Sequence, residues 1–176
     1  MPDGETRARA LFQKATDEER INETLQPGEQ CLAKFVAFHP NTQSAGLRSA
    51  KAAYTVGKAQ HAPSHQPVID KLVAQLPGVQ LKGPVNWMGA MVMTNQRIQT
   101  WTLPMGPASW KLRDLAESLD HHAFQAIAHS DTFRAGARHL VYGGIVNSHD
   151  TVLAFEVLDS HVDGYGAFVR EWSARR

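Results

Sequence analysis

The run Ala90-Met91-Val92-Met93-Thr94-Asn95-Gln96-Arg97-Ile98-Gln99-Thr100-Trp101-Thr102-Leu103 constrains the fold more than any other stretch. It is rich in β-branched residues, methionine and tryptophan, with the polar pair Asn95-Gln96 at its middle. That pattern predicts two short strands joined by a tight turn, within residues 87–103. Pro104-Met105-Gly106-Pro107 ends the second strand.

The 176 residues suit one domain with an appended segment. Hydrophobic residues make up 43%, close to the roughly 45–50% of globular chains, so a buried core is expected. Eighteen basic against seventeen acidic residues leave a net charge of +1. Such a balance gives no general attraction for nucleic acid or an acidic membrane surface. The single cysteine, Cys31, excludes an internal disulfide and a cysteine zinc cluster, and it is expected as a small buried hydrophobe. The first residues lack a basic then apolar leader pattern, and no apolar run approaches the roughly 18–20 residues of a membrane-spanning helix. A cytoplasmic protein with no transmembrane segment is the expectation.

Residues 5–25 read as helical, with a capping-box break at Thr16-Asp17-Glu18-Glu19. Pro27-Gly28 ends them, and residues 31–38 read as a buried strand. Residues 40–84 form a long excursion. Within it, 61–67 reads as a polar linker, and Val68, Leu72, Val73 and Leu76 share one helical face. From Trp110, the apolar positions Leu112, Leu115, Ala116 and Leu119 predict a helix to about residue 120. Strands follow at 123–129, 137–146 and 151–158, the last two joined by Asn147-Ser148-His149-Asp150. Gly143-Gly144 reads as a bulge or turn. Asp159-Ser160 is expected to cap a terminal helix carrying the stripe Val162, Tyr165, Phe168, Val169 and Trp172, in which Gly164 and Gly166 each cost about 1 kcal/mol against alanine.

The hairpin Met91-Val92-Met93-Thr94-Asn95-Gln96-Arg97-Ile98 resembles the hydrophobic-x-Thr-(Asn/Asp)-x-Arg-(Ile/Leu) hairpin of bacterial pleckstrin-homology-like and GRAM-type domains. Those domains also place Gly-Glu before their first strand, as Gly28-Glu29 stands here, and a capping helix where residues 161–173 lie. The resemblance implies an α+β fold: a pleckstrin-homology-like antiparallel roll or partly open barrel over residues 28–176, capped by the C-terminal helix. Residues 1–27 would be an N-terminal helical segment, and 40–84 an insertion between the first two strands. Two features depart from that pattern: the fifty-residue interval, and the helix expected at 110–120 in place of a fourth strand.

The residues themselves assign Thr94 to the turn backbone and Arg97 to a position across Trp101 or beside a neighbouring carboxylate. Nine histidines are the one hint of a metal, with His122, His129 and Asp131 the first set to consider, although no metal-ligand spacing is present. Ser130 beside His129 and Ser148 beside His149 lack any nucleophile elbow. Arg48, Lys51, Lys58, Lys71 and Lys82 fall in the long excursion without the density of a phosphoinositide pocket.

The favoured expectation is a non-enzymatic binding or scaffold domain that needs no cofactor. It recognises a protein partner or self-associates, with Trp87, Arg97, Trp101 and Trp110 as contact candidates. The alternatives are a small metal-dependent hydrolase using the histidines at 121–149, and a domain that binds anionic lipid. Nucleic acid is not an expected partner.

Overall fold

The computed structural model describes residues 17–40, 64–103, 112–135 and 138–176. In chain order the elements are α1 (Asp17–Thr24), β1 (Cys31–Ala37), α2 (Gln66–Gln75), β2 (Lys82–Asn86), β3 (Gly89–Thr94), β4 (Ile98–Trp101) and β5 (Leu115–Leu119). A 3-10 turn (His121–Ala123) leads into β6 (Phe124–His129), β7 (Phe133–Ala135), β8 (Arg138–Asn147), β9 (Thr151–Leu158) and α3 (Asp159–Ser173). The architecture is α+β, with two mostly antiparallel sheets and a C-terminal helix. The first sheet runs β1-β3-β4-β5. The second runs β2-β9-β8-β6, with β7 also on β8. Among the described residues only β2 pairs in parallel, against β9. The sheets meet where Phe38 and Glu156 exchange backbone hydrogen bonds of 2.9 and 2.8 Å.

The central strands of both sheets are covered on both faces, whereas β2 and most of β5 are exposed. Phe35, Met91, Met93 and Ile98 from the first sheet meet Ile145, Phe155 and Val157 from the second in the central core. On the outer face of the first sheet, Ile21 of α1 packs with Val36, Val92 and Trp101. On the outer face of the second, Val68 and Leu72 of α2 pack with Tyr142 and Val146. Two-sided burial explains why β3 is buried at every position and why its sequence shows an apolar run rather than alternation.

α3 closes the central core with Tyr165, Phe168 and Trp172, all at most 4% exposed. Phe35 is their contact point, its ring centroid 4.8 Å from Tyr165 and 5.1 Å from Phe168. The Tyr165 hydroxyl donates to the Ala128 carbonyl at 3.1 Å.

Several expectations require correction. Residues 115–119 are a strand, not a helix: the three- and four-residue spacing of apolar positions is real, but pairing of Leu119 with Ile98 and Glu117 with Thr100 decides the backbone. Cys31 is exposed, because β1 begins at the sheet margin. Val73 is 49% exposed, while Val68 and Leu72 alone of that stripe are fully buried. His65, expected in a linker, is half-buried before α2 and bonds the Gly143 carbonyl through Nε2 at 2.9 Å. The long excursion contains α2, where a helical face was expected, and the start of the strand β2, which was not. α3 begins at Asp159 with Leu158 at its N-cap, ahead of the expected Ser160 cap. Gly143 and Gly144 lie in unbroken register in β8. A Cβ on Gly143 would overlap the Phe155 ring, and one on Gly144 would press on Val68 and Leu72 at 2.9 Å. The pair therefore admits a ring on one face and a helix on the other. Residues 5–16 of the expected N-terminal helix, and its break at Thr16, lie outside the described residues, as do Arg48, Lys51, Lys58 and Trp110.

Candidate functional site

Two short sequence features, sixty-odd residues apart, close on each other in the fold. Gln26-Pro27-Gly28-Glu29 forms a turn, with Glu29 N–H donating to the Gln26 carbonyl at 2.9 Å. Gly28 has φ +78°, so the turn is type II, with proline and glycine where that type favours them. The β3–β4 hairpin turn reads this backbone directly. The Asn95 side chain accepts from Gln30 N–H at 2.8 Å and donates to the Gly28 carbonyl at 3.0 Å. Asn95 N–H also donates to the Gln30 carbonyl at 3.1 Å.

Inside this junction the Glu29 side chain is fully buried, and Arg97 grips it from two directions. Nε donates to Oε1 at 2.8 Å and Nη2 to Oε2 at 3.1 Å. Gln26 N–H donates to Oε2 at 2.8 Å, and the Thr94 hydroxyl to Oε1 at 2.7 Å. Burial alone would push the Glu29 carboxyl up; these hydrogen bonds and the Arg97 charge overcome it and hold the group below the usual glutamate range. The Thr94 oxygen meanwhile accepts from Arg97 N–H at 2.9 Å and Gln96 N–H at 3.2 Å. Thr94→Val keeps the shape but strands these groups in a buried position. It is expected to cost about 1–3 kcal/mol in urea unfolding, with little change in the native circular dichroism spectrum.

Arg97 also reaches beyond the ion pair. Nη2 donates to the Thr24 carbonyl at the end of α1 (2.7 Å), and Nη1 to Ser118 Oγ on β5 (2.9 Å). One guanidinium thus ties the hairpin, the Glu29 turn, α1 and β5 together. A second chain runs from Trp101 Nε1 to Gln99 Oε1 (3.1 Å), then from Gln99 Nε2 to Thr24 Oγ1 (2.9 Å). Both connections fix α1 against the first sheet.

The other candidates are dispersed. Trp101 is 4% exposed and packs under α1, whereas Trp87 is half-buried with its ring edge-on to Phe155 at 5.8 Å. Among the described residues no three His, Cys, Asp or Glu side chains come together as a metal set, so His122, His129 and Asp131 share no centre. His129 Nδ1 bonds the Ser130 carbonyl. The Ser130 hydroxyl accepts from Tyr142 N–H and donates to the Asp131 carbonyl. Lys71 and Lys82 donate to the carbonyls of His129 and His149. No helix among the described residues is long and apolar enough to cross a membrane.

Two surface features stand out among the described residues. A groove of about 350 Å3 lies between α1 and β1, lined by Glu18, Ile21, Asn22, Cys31, Leu32 and Lys34. The second is the outer edge of β5, whose residues 115–118 are all exposed and which, among the described residues, pairs only with β4. Sequence reasoning missed this edge because it placed a helix there. Comparison with family models, curated proteins and solved structures gives no match for this chain.

Proposed function

We propose that this chain is a non-catalytic binding domain of pleckstrin-homology-like architecture whose ligand is another protein. The reading draws on the order of its parts. A four-stranded meander (β1, β3, β4, β5) precedes a three-stranded one (β6, β8, β9), and a C-terminal helix plugs the space between them. With β5 a strand, the resemblance carried by Gly28-Glu29 and Thr94-Asn95-Gln96-Arg97 has its fourth strand, and those motif residues serve as a brace rather than a ligand pocket. The outer edge of β5, which among the described residues pairs only with β4, carries the functional part of the reading, since a strand edge offers a row of backbone donors and acceptors to another chain.

The test is elemental analysis of untagged protein together with its mass by sedimentation. Metal-free protein that forms a defined complex with a protein partner supports the proposal. About one metal per chain, with hydrolytic activity that disappears in His129→Ala, overturns it in favour of the hydrolase.

A further inference from the structure

α2 is fastened to the second sheet at both ends, by different means. Toward its C-terminal end Lys71 Nζ and Gln75 Nε2 donate to the carbonyls of His129 and Ile127 on β6, each at 2.9 Å. In its middle Val68 and Leu72 fill the room that Gly144 leaves on β8. At its N-terminal end the tie is a histidine. His65 stands at the N-cap, half-buried, with its ring centroid 4.7 Å from that of Tyr142 on β8 and its Nε2 2.9 Å from the Gly143 carbonyl oxygen.

That one bond fixes the state of the ring. A carbonyl oxygen only accepts, so Nε2 carries the hydrogen, and in the neutral ring Nδ1 is then a bare lone pair. Nδ1 is buried and has no hydrogen-bond partner. A proton placed there would make a buried N–H without an acceptor. It would also put positive charge at the N-terminal end of a ten-residue helix, where the helix dipole opposes it. The seat is therefore built for a neutral imidazole.

The titratable side chains on the elements packed around this seat are Asp70 and Lys71 on α2, Tyr142 on β8, Glu156 opposite Tyr142 on β9, and His129 on β6. Asp70 accepts from Gln66 Nε2 at 2.8 Å, and Lys71 is taken by the His129 carbonyl. The His65 ring owes nothing to their charges: burial pushes its pKa below the ordinary histidine value by more than the Gly143 bond raises it.

We propose that His65 is an acid-sensitive latch on α2: neutral, it holds the first turn of the helix on β8, and protonated, it lets that turn go while Lys71 and Gln75 keep the far end on β6. The proposal does not depend on the binding-domain reading. Its sign follows from linkage. A released ring takes up its proton from about pH 6.5 downward, whereas the seated ring does so only at lower pH. The seat is complete above that range, weakens by about tenfold per pH unit as pH falls through it, and weakens no further once the seated ring is itself protonated.

The test is proton NMR titration of the histidine rings together with amide hydrogen exchange of the full chain. The Val68 and Ile69 amides both donate to the His65 carbonyl, at 3.0 and 3.3 Å, and report on the first turn, while the amides of β8 serve as reference. Corrected for intrinsic exchange, protection of Val68 and Ile69 relative to β8 is expected to fall on the order of tenfold between about pH 7.5 and about pH 5. The His65 ring, identified by its missing signal in His65→Gln, is expected to titrate below the ordinary histidine value. In His65→Gln, which keeps a donor for Gly143 and does not titrate, the fall disappears. Should glutamine fail to seat the helix, His65→Phe keeps a ring on Tyr142 and gives the same flat response; should both unseat it, the parent's titration and protection decide. A fall that persists in a seated variant assigns the response to other groups, such as His161, the second histidine that burial holds low, and overturns the proposal. Flat protection in the parent, or a His65 ring that titrates above the ordinary value, overturns it as well.

Discussion

Glu29→Ala is expected to destabilise the protein by about 3–5 kcal/mol, the cost of breaking a buried ion pair by deleting one partner. Domains of this kind are stable by only about 5–15 kcal/mol, so the variant unfolds at far lower urea than the parent. The alanine leaves the Arg97 guanidinium, the Thr94 hydroxyl and the Gln26 N–H without their acceptor. Arg97 retains 20% exposure, and water reaching it places the loss toward the lower end. The paired replacement Glu29→Met with Arg97→Met is expected to lose less than the two single changes added together, because neither charge is then orphaned. Additive losses would mean that the two side chains act independently.

The same carboxylate gives the fold an acid-sensitive component with a definite sign. Glu29 is ionised in the fold at lower pH than in the unfolded chain. Its contribution is therefore complete above the ordinary glutamate range and is lost as pH falls through the lower folded value. In Glu29→Gln that component is absent, so the gap between parent and variant is wide at neutral pH and narrows in acid. A gap independent of pH would show that the buried carboxyl is not ionised in the fold.

Glu29 and Arg97 also mark how far the sequence could be read. Thr94 was legible as a turn residue from its place in the hairpin, and a neighbouring carboxylate was one of the two partners read for Arg97. The strands β1, β6, β8 and β9 were legible because each is a compact apolar run between turn residues, and α3 because its aromatic stripe recurs at helical spacing. β5 was not, since Leu112, Leu115 and Leu119 imitate a helical face. Their true surroundings differ: Leu112 is buried beneath α1, Leu115 is 37% exposed, and Leu119 leans on the central core. β2 has no apolar signature at all and exists through pairing with β9. The seating of α1 beside residues 112–118 was invisible for a related reason. The two segments are about ninety residues apart, and the contacts of Arg20 and Asp17 with the Leu112–Arg113 backbone, with Arg97 joining Thr24 to Ser118, bring them together.

The two glycines of α3 look equivalent in sequence and are expected to respond with opposite signs. At Gly166 the nearest atom a Cβ would meet is Arg170 Nη1, 3.4 Å away at the end of a flexible side chain that can swing aside. Gly166→Ala should therefore stabilise by up to about 1 kcal/mol through helix propensity alone. Gly164 lies against β1, where a Cβ would overlap the Lys34 carbonyl oxygen. That oxygen belongs to a strand fixed by its ladder to β3, so it cannot turn aside as a side chain would. Gly164→Ala must push α3 outward, prising Tyr165 and Phe168 from Phe35, and is expected to cost about 3 kcal/mol, the upper part of the overpacking range. Urea unfolding of both variants decides the matter. A gain at position 164 equal to that at 166 would show that α3 does not seat on β1 so closely.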